Sequence, residues 1–151
     1  MKIASRKARH ESAQRTHLKM DHELADNTAM QFYFQRLAHS YPSLLESWLF
    51  GSRADATHKA DSDWDLLVFA DRHDFEKMKS DNSLQVGMVD LLVVFDGDHF
   101  EQPWTEPGQP VPKCGSLTQW QWKKETDNEA SYWCSRRRCH RRAFCLWTRA
   151  Q

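Results

Sequence analysis

A chain of 151 residues with 40% hydrophobic and 12% aromatic content can bury one sizeable core and is most naturally a single domain. It holds no run near the roughly 18 apolar residues of a membrane-crossing helix, and no apolar stretch follows the basic N-terminus as in a secretory signal, so a cytoplasmic protein without membrane partners is expected. The net charge of zero conceals an asymmetry: residues 1–20 carry six Lys/Arg against Glu11, residues 21–133 nine bases against twenty acids, and residues 134–151 six Arg and no acid.

The acidic body argues against a broad nucleic-acid-binding face there. It leaves nucleic acid or an acidic partner to the two basic ends. Residues 1–25 show no sustained apolar period and read as a basic, loosely ordered segment. From Asp26-Asn27-Thr28, any of which can cap a helix, Met30, Phe34, Leu37, Ala38 and Tyr41 recur at spacings of three and four, the pattern of one apolar helix face. Pro42 ends this helix, since proline has no N–H and pushes the residue before it out of the helical region.

Leu44 to Phe50 reads as the first strand, closed by Gly51-Ser52. Glycine permits unusual dihedrals and close backbone approach, and serine offers a hydroxyl to a phosphate oxygen. Ten residues later Asp63-Trp64-Asp65 opens a second strand-like run, Leu66 to Phe69. Side chains alternate along a strand, so Asp63 and Asp65 share a face. Two close carboxylates raise each other's pKa unless a cation neutralises them, and the natural one is oxygen-preferring Mg²⁺. Val86 to Phe95, the most apolar run, reads as a central strand with Asp90 in its middle. A buried carboxylate is costly without a partner. With no Lys or Arg between Lys79 and Lys113, a third metal-binding acid is the better explanation.

Asp96-Gly97-Asp98 reads as a turn, and Pro103, Pro107, Pro110 and Pro112 mark a loop that could flank an acceptor site. Leu117 to Lys123 alternates Trp120 and Trp122 with polar residues, and Ala130 to Trp133 follows a polar turn, which together suggest a β-hairpin. The two tryptophans either cover a sheet or stack on a base or sugar. The domain thus reads as residues 26–133. Residues 134–151 read as an Arg/Cys-rich tail with three readings: an arginine patch for RNA or an acidic partner, a terminus with little role in the fold, or a zinc site. For zinc, Cys134, Cys139, Cys145 and His140 are suitable ligand types without the usual tight C-x2-C spacing. With Cys114 alone elsewhere, a secreted disulfide framework is not indicated.

Gly51-Ser52, ten residues, Asp63-x-Asp65 and a later Asp90 together resemble the minimal nucleotidyltransferases of the DNA polymerase beta superfamily. Leu49-Phe50-Gly51-Ser52-Arg53-Ala54 and Ser62 to Val68 carry the two signatures, and the resemblance spans about residues 26–96. It implies an α/β (α+β) fold, a small mixed sheet backed by helices, and transfer of a nucleoside monophosphate from ATP or another NTP to a hydroxyl. Gly51 and Ser52, with Arg53 as a further contact, would hold the triphosphate. Asp63, Asp65 and Asp90 would bind two Mg²⁺ ions, with Asp90 also orienting the attacking hydroxyl. Asp55-Ala56-Thr57 departs from the pattern where a glycine-containing turn is common. Two classes stay open. One is an active transferase acting on a protein or a small molecule, similar to antitoxins that modify HEPN ribonuclease toxins or to aminoglycoside nucleotidyltransferases. The other is a catalytically silent module that acts by docking.

Overall fold

The computed structural model of the protein describes residues 28–150. The basic segment expected over 1–25, and Asp26 and Asn27 as helix caps, lie outside the described residues. Helix α1 occupies 28–40 of the described chain and stops before Pro42. Among the described residues, those up to Gln35 belong to one compact unit and those from Arg36 onward to another. In the first, Tyr33 and Phe34 are buried and Met30 is half-buried. In the second, Leu37, Ala38 and Tyr41 are buried. In each unit the residues picked out by the apolar spacing are buried or half-buried.

From Arg36 onward the fold is a mixed sheet of eight strands: β1 (Glu46–Phe50), β2 (Trp64–Phe69), β3 (Val89–Val94), β4 (His99–Glu101), β5 (Cys114–Ser116), β6 (Lys123–Lys124), β7 (Glu129–Cys134) and β8 (Cys139–Thr148). Their spatial order is β5-β4-β3-β2-β1-β8-β7-β6. The pair β2–β3 is parallel and the other neighbours are antiparallel. Parallel neighbours need a crossover, and helix α2 (Arg72–Lys79) supplies it.

Helix α2 was not apparent from the sequence. Asp71 caps it by accepting from the Asp74 amide at 2.8 Å, and Phe75 and Met78 face inward. Buried Asp74 accepts from the amide and hydroxyl of Ser43, which ties α2 to the loop after α1.

The central strands are covered on both faces, as strands flanked by crossovers are. One face presents Trp48, Leu67, Leu92 and Val94 to a cluster with Phe100, Leu117, Ala130, Tyr132 and Ala143. The alternate residues Leu49, Leu66, Val68, Leu91 and Val93 are buried as well.

Two expectations need correction. Residues 117–121 form a turn instead of a strand. The amides of Trp120, Gln121 and Trp122 donate to Ser116, Thr118 and Leu117 carbonyls, so they are not free for a ladder, and only β6 pairs with β7. Residues 134–151 are not a tail with little role in the fold. Strand β8 lies between β1 and β7 and is hydrogen-bonded on both edges. Its arginines have acceptors: Arg142 pairs with Glu129 at 2.7 Å. Beyond the strand, Arg149 donates to the carbonyls of Leu44 and, at the end of α1, of Ala38 and Tyr41, where a cation complements the helix dipole.

Candidate active site

The site is built where β1 ends and the parallel strands β2 and β3 begin. Antiparallel register sets Phe50 opposite Asp65, and parallel register sets Asp65 beside Asp90. The two carboxylates therefore occupy neighbouring positions on adjacent strands, and both line one cleft of about 530 Å³. Asp90 stands at the start of its strand, second in β3, instead of in the middle as the apolar run suggested. The first three residues of that run precede the sheet.

Gly51 is what allows Asp65 to point there. It has φ +76°, and a Cβ on it would lie 2.1 Å from Asp65 Oδ2. Any larger residue would have both a strained backbone and a clash with the carboxylate. The Gly51 amide donates to the Tyr132 hydroxyl at 3.0 Å, so the turn is anchored to β7 from across the sheet.

Burial first, and then the charge of Asp90, push the Asp65 carboxyl up to about 6; Asp63 adds to this and Lys113 and Arg141 oppose it. Asp90 does have a basic partner. Lys113 Nζ lies 2.5 Å from its Oδ2, and the buried amide of Gln102 donates to its Oδ1 at 2.8 Å. Gln102 is fixed in turn, accepting from the Lys113 amide and from Gln109. The proline-marked loop thus leaves the sheet at Gln102 and returns at Lys113, with both ends bonded to Asp90. Sequence distance had set Lys113 aside; the loop cancels that distance.

The other expected site residues divide. Asp63 lies one residue before β2, is exposed, and does not line the cleft. It acts on Asp65 through charge. Ser52 is half-buried beside Gly51 but is not among the lining residues. Arg53, expected on phosphate, is buried and directed elsewhere: it donates to the carbonyls of Ala60 and Ser62 and lies 4.3 Å from the Trp64 ring centroid. Its guanidinium shapes the loop between the motifs.

That loop explains the unusual Asp55-Ala56-Thr57. Ala56 has φ +61°, in the region that favours glycine, so the conformation persists without the residue that suits it. Asp55 is paired with Arg141 of β8, whose Nε donates at 2.8 Å. Burial works to raise the Asp55 carboxyl, but bonds from Thr57 and Arg141 outweigh it and hold it below the usual range. Tyr132, Lys113 and Arg141 were not singled out from the sequence. All three sit on strands or loops far along the chain from the motifs.

Besides the two acids the cleft is lined by basic and aromatic residues, among them Lys113, Arg136, Arg141, Trp120 and Tyr132. Trp120 packs at 5.1 Å from Phe50 and 4.7 Å from Phe100, and Trp122 meets Trp48 edge-on at 5.2 Å. Both cover the sheet, and Trp120 also borders the cleft. Zinc ligands are not assembled: His140 packs on Trp133, paired with it across β7–β8, while Cys145 packs against the core cluster. Among the described residues no three His, Cys, Asp or Glu side chains are grouped as a metal site, and no helix is long and apolar enough to cross a membrane.

At the mouth of the mixed sheet a glycine turn lies against paired carboxylates. Residues 33–90 match the family model described as polymerase beta, nucleotidyltransferase. The matched stretch runs from within α1 to Asp90 and includes the glycine turn and the paired acids Asp65 and Asp90. A provisionally named nucleotidyltransferase from Sulfolobus solfataricus is similar in structure, with 22% identity and a TM-score of 0.42 over 72% of this chain and 89% of that one. No curated protein matches the chain.

Proposed function

We propose that the protein transfers a nucleoside monophosphate, with AMP from ATP as the working case, to a hydroxyl of a protein or small-molecule acceptor. The observation that carries this reading is the pairing of Asp65 with Asp90 across β2 and β3, facing a cleft walled by Lys113, Arg136 and Arg141. Paired acids call for a cation, and the basic wall suits a polyphosphate. The cytoplasm is the setting this chemistry expects.

Asp65 and Asp90 suit Mg²⁺ as oxygen donors, with Asp63 as a third carboxylate close enough to raise Asp65. Bound by them, Mg²⁺ would lower the pKa of the attacking hydroxyl and neutralise charge on the α-phosphate and leaving group. The chain's own groups do the rest. Gly51, by carrying no side chain, lets Asp65 face the cleft, and Ser52 offers a hydroxyl along the turn. Arg136 and Arg141, which line the same cleft, would attract and orient phosphate. Lys113 neutralises Asp90 before substrate arrives. Within this reading the acceptor sets the role: a toxin-like protein would make the chain an antitoxin, and an aminoglycoside would make it a drug-modifying enzyme.

The test is incubation of the full chain with α-labelled ATP and Mg²⁺, with candidate proteins and aminoglycosides as acceptors. Label transfer that Asp65→Asn and Asp90→Asn each abolish supports the reading. Absence of both nucleotide binding and transfer overturns it. The second reading, a silent docking module, is favoured by the Lys113–Asp90 bond, which fills the position a cation would take. On that reading, Lys113→Met restores tight Mg²⁺ binding and leaves partner binding unchanged. If Lys113→Met weakens transfer, the docking reading fails.

A further inference from the structure

The hairpin joining β7 to β8 brings two cysteines face to face. Cys134 ends β7, Cys139 opens β8, and the strand register pairs them directly. Opposed residues of an antiparallel pair have Cα atoms about 4.5 or 5.5 Å apart, depending on hydrogen-bonding phase, and side chains on one face. Either spacing lies within the roughly 4.4–6.8 Å that a disulfide spans. The turn between them is already closed, with the Arg138 amide donating to the Cys134 carbonyl at 2.7 Å and Arg138 at φ +57°. Both thiols are free, so the bond needs side-chain rotation and no new backbone path.

The surroundings favour attack by Cys134. It is half-buried at the lip of the cleft, and Arg141 Nη1 lies 4.0 Å from its sulfur. Burial works to raise the thiol, but the Arg136 and Arg137 amides and Arg141 outweigh it and hold Cys134 below the ordinary thiol range. The thiolate is the reactive form, and such electropositive, partly exposed settings mark reactive cysteines. Arg136, Arg137 and Arg138 are exposed in the turn and would draw in an anionic oxidant. The other two cysteines provide contrast. Cys114 lies on β5 at the opposite end of the sheet order, and burial pushes the Cys145 thiol up.

We propose that Cys134 and Cys139 are a reversible oxidation site, converted to a cross-strand disulfide at the cleft lip by an anionic low-molecular-weight disulfide of the oxidised-glutathione type. The Cys134 thiolate attacks one sulfur of the oxidant, forming a mixed disulfide and expelling one thiolate. The Cys139 thiolate then attacks the Cys134 sulfur and expels the second. The protein dithiol loses two electrons and two protons, and the oxidant gains both to become two thiols. Closing the bond turns the Cys134 sulfur from Arg141, a cleft residue that also holds Asp55, so oxidation reshapes the basic wall.

The experiment treats the full chain with oxidised glutathione, traps the thiols, and maps the products by mass spectrometry. The expected product is an intramolecular Cys134–Cys139 disulfide, formed before modification of Cys114 or Cys145 and fully reversed by dithiothreitol. In Cys139→Ser the reaction stops with glutathione on Cys134. In Cys134→Ser, Cys139 is modified severalfold more slowly than Cys134 is in Cys139→Ser. A mixture of glutathione adducts without the disulfide overturns the proposal, as does a cross-link to Cys114 or Cys145. Equal rates in the two variants overturn the assignment of Cys134 as the attacking thiol. None of these readouts depends on nucleotidyl transfer.

Discussion

Asp65→Asn is expected to make the metal-free protein more stable at neutral pH. Asn keeps the shape of the side chain beside Gly51 and removes its charge. The Asp65 carboxyl is pushed from an ordinary value of 3.8 to about 6, and a shift of about two units corresponds to roughly 3 kcal/mol. The direction follows from proton binding. The folded chain holds the Asp65 proton to higher pH than the unfolded chain does, so ionisation favours unfolding. The penalty is absent below about pH 4, develops between 4 and 6, and is complete above 6. Solvent reaches this half-buried group from the cleft, so a gain of about 1–3 kcal/mol is expected at pH 7, or roughly 3–10 °C in melting temperature at this chain length. Thermal and urea unfolding of both proteins in EDTA, from pH 4 to pH 8, measure it. The curves should coincide near pH 4 and separate above 6. Equal stability at pH 7, or a constant gap at every pH, would refute the argument that the acid pair is held at a cost. Mg²⁺ should then stabilise the parent and leave Asp65→Asn nearly unmoved, because a ligand adds stability only where the folded state binds it.

Gly51→Ala should destabilise the fold by about 2 kcal/mol or more through positive φ and the clash with Asp65. A second change, Asp65→Ala, should recover part of that loss, since the nearest atom would become the Asp65 Cβ at 3.1 Å in place of Oδ2 at 2.1 Å; denaturant midpoints of the double-mutant cycle measure this coupling. Ala56→Gly should stabilise by about 0.5–1 kcal/mol by relieving the left-handed strain at φ +61°, read from the same curves. Arg141→Met should cost about 1–2 kcal/mol at pH 7 by leaving half-buried Asp55 to the Thr57 donors without its cation. Because the folded-state pKa of Asp55 is lowered, that contribution is present above its unfolded value near 4 and fades as pH falls below it, so parent and variant should converge in acid. Ending the chain at Arg138 removes β8 and bares the facing edges of β1 and β7; loss of a cooperative melting transition is expected, and a normal transition would show that β8 is dispensable.

The sequence singled out residues that local chemistry makes conspicuous. Gly51, Asp65 and Asp90, which the structure brings to one cleft, and Asp63, which it leaves outside the lining, stand out because a glycine at a strand end and acids in apolar runs are costly without a reason. The helix over 28–40 and the first three strands were legible for a similar reason: their apolar residues repeat with one clear period. Helix α2 escaped because it is short and buries few apolar side chains, chiefly Phe75 and Met78. Its start signal, Asp71 capping the Asp74 amide, is a single polar residue among many. Lys113 escaped because a loop brings residues close in space that are far apart in sequence. The pairing of Asp90 with Lys113 depends on where Gln102 and Lys113 leave and rejoin the sheet, and proline spacing does not encode that.

The C-terminal strand was the hardest to read, and the reason bears on the site. Residues 139–148 look like a tail because they carry Cys, His and Arg where a buried strand would carry Val and Ile. Yet β8 is central in the strand order, with β1 and β7 bonded to its two edges. Its unusual composition follows from what its faces meet. Ala143 and Cys145 reach the core cluster, while Arg141 reaches the cleft and Asp55. A strand that must close a sheet and supply a cation to an acidic loop cannot also show a clean apolar period. The arginine-rich segment that looked separate from the acidic body is therefore the element that completes its cleft. The charge asymmetry is partly settled within the fold, base against acid, through Arg141–Asp55 and Arg142–Glu129.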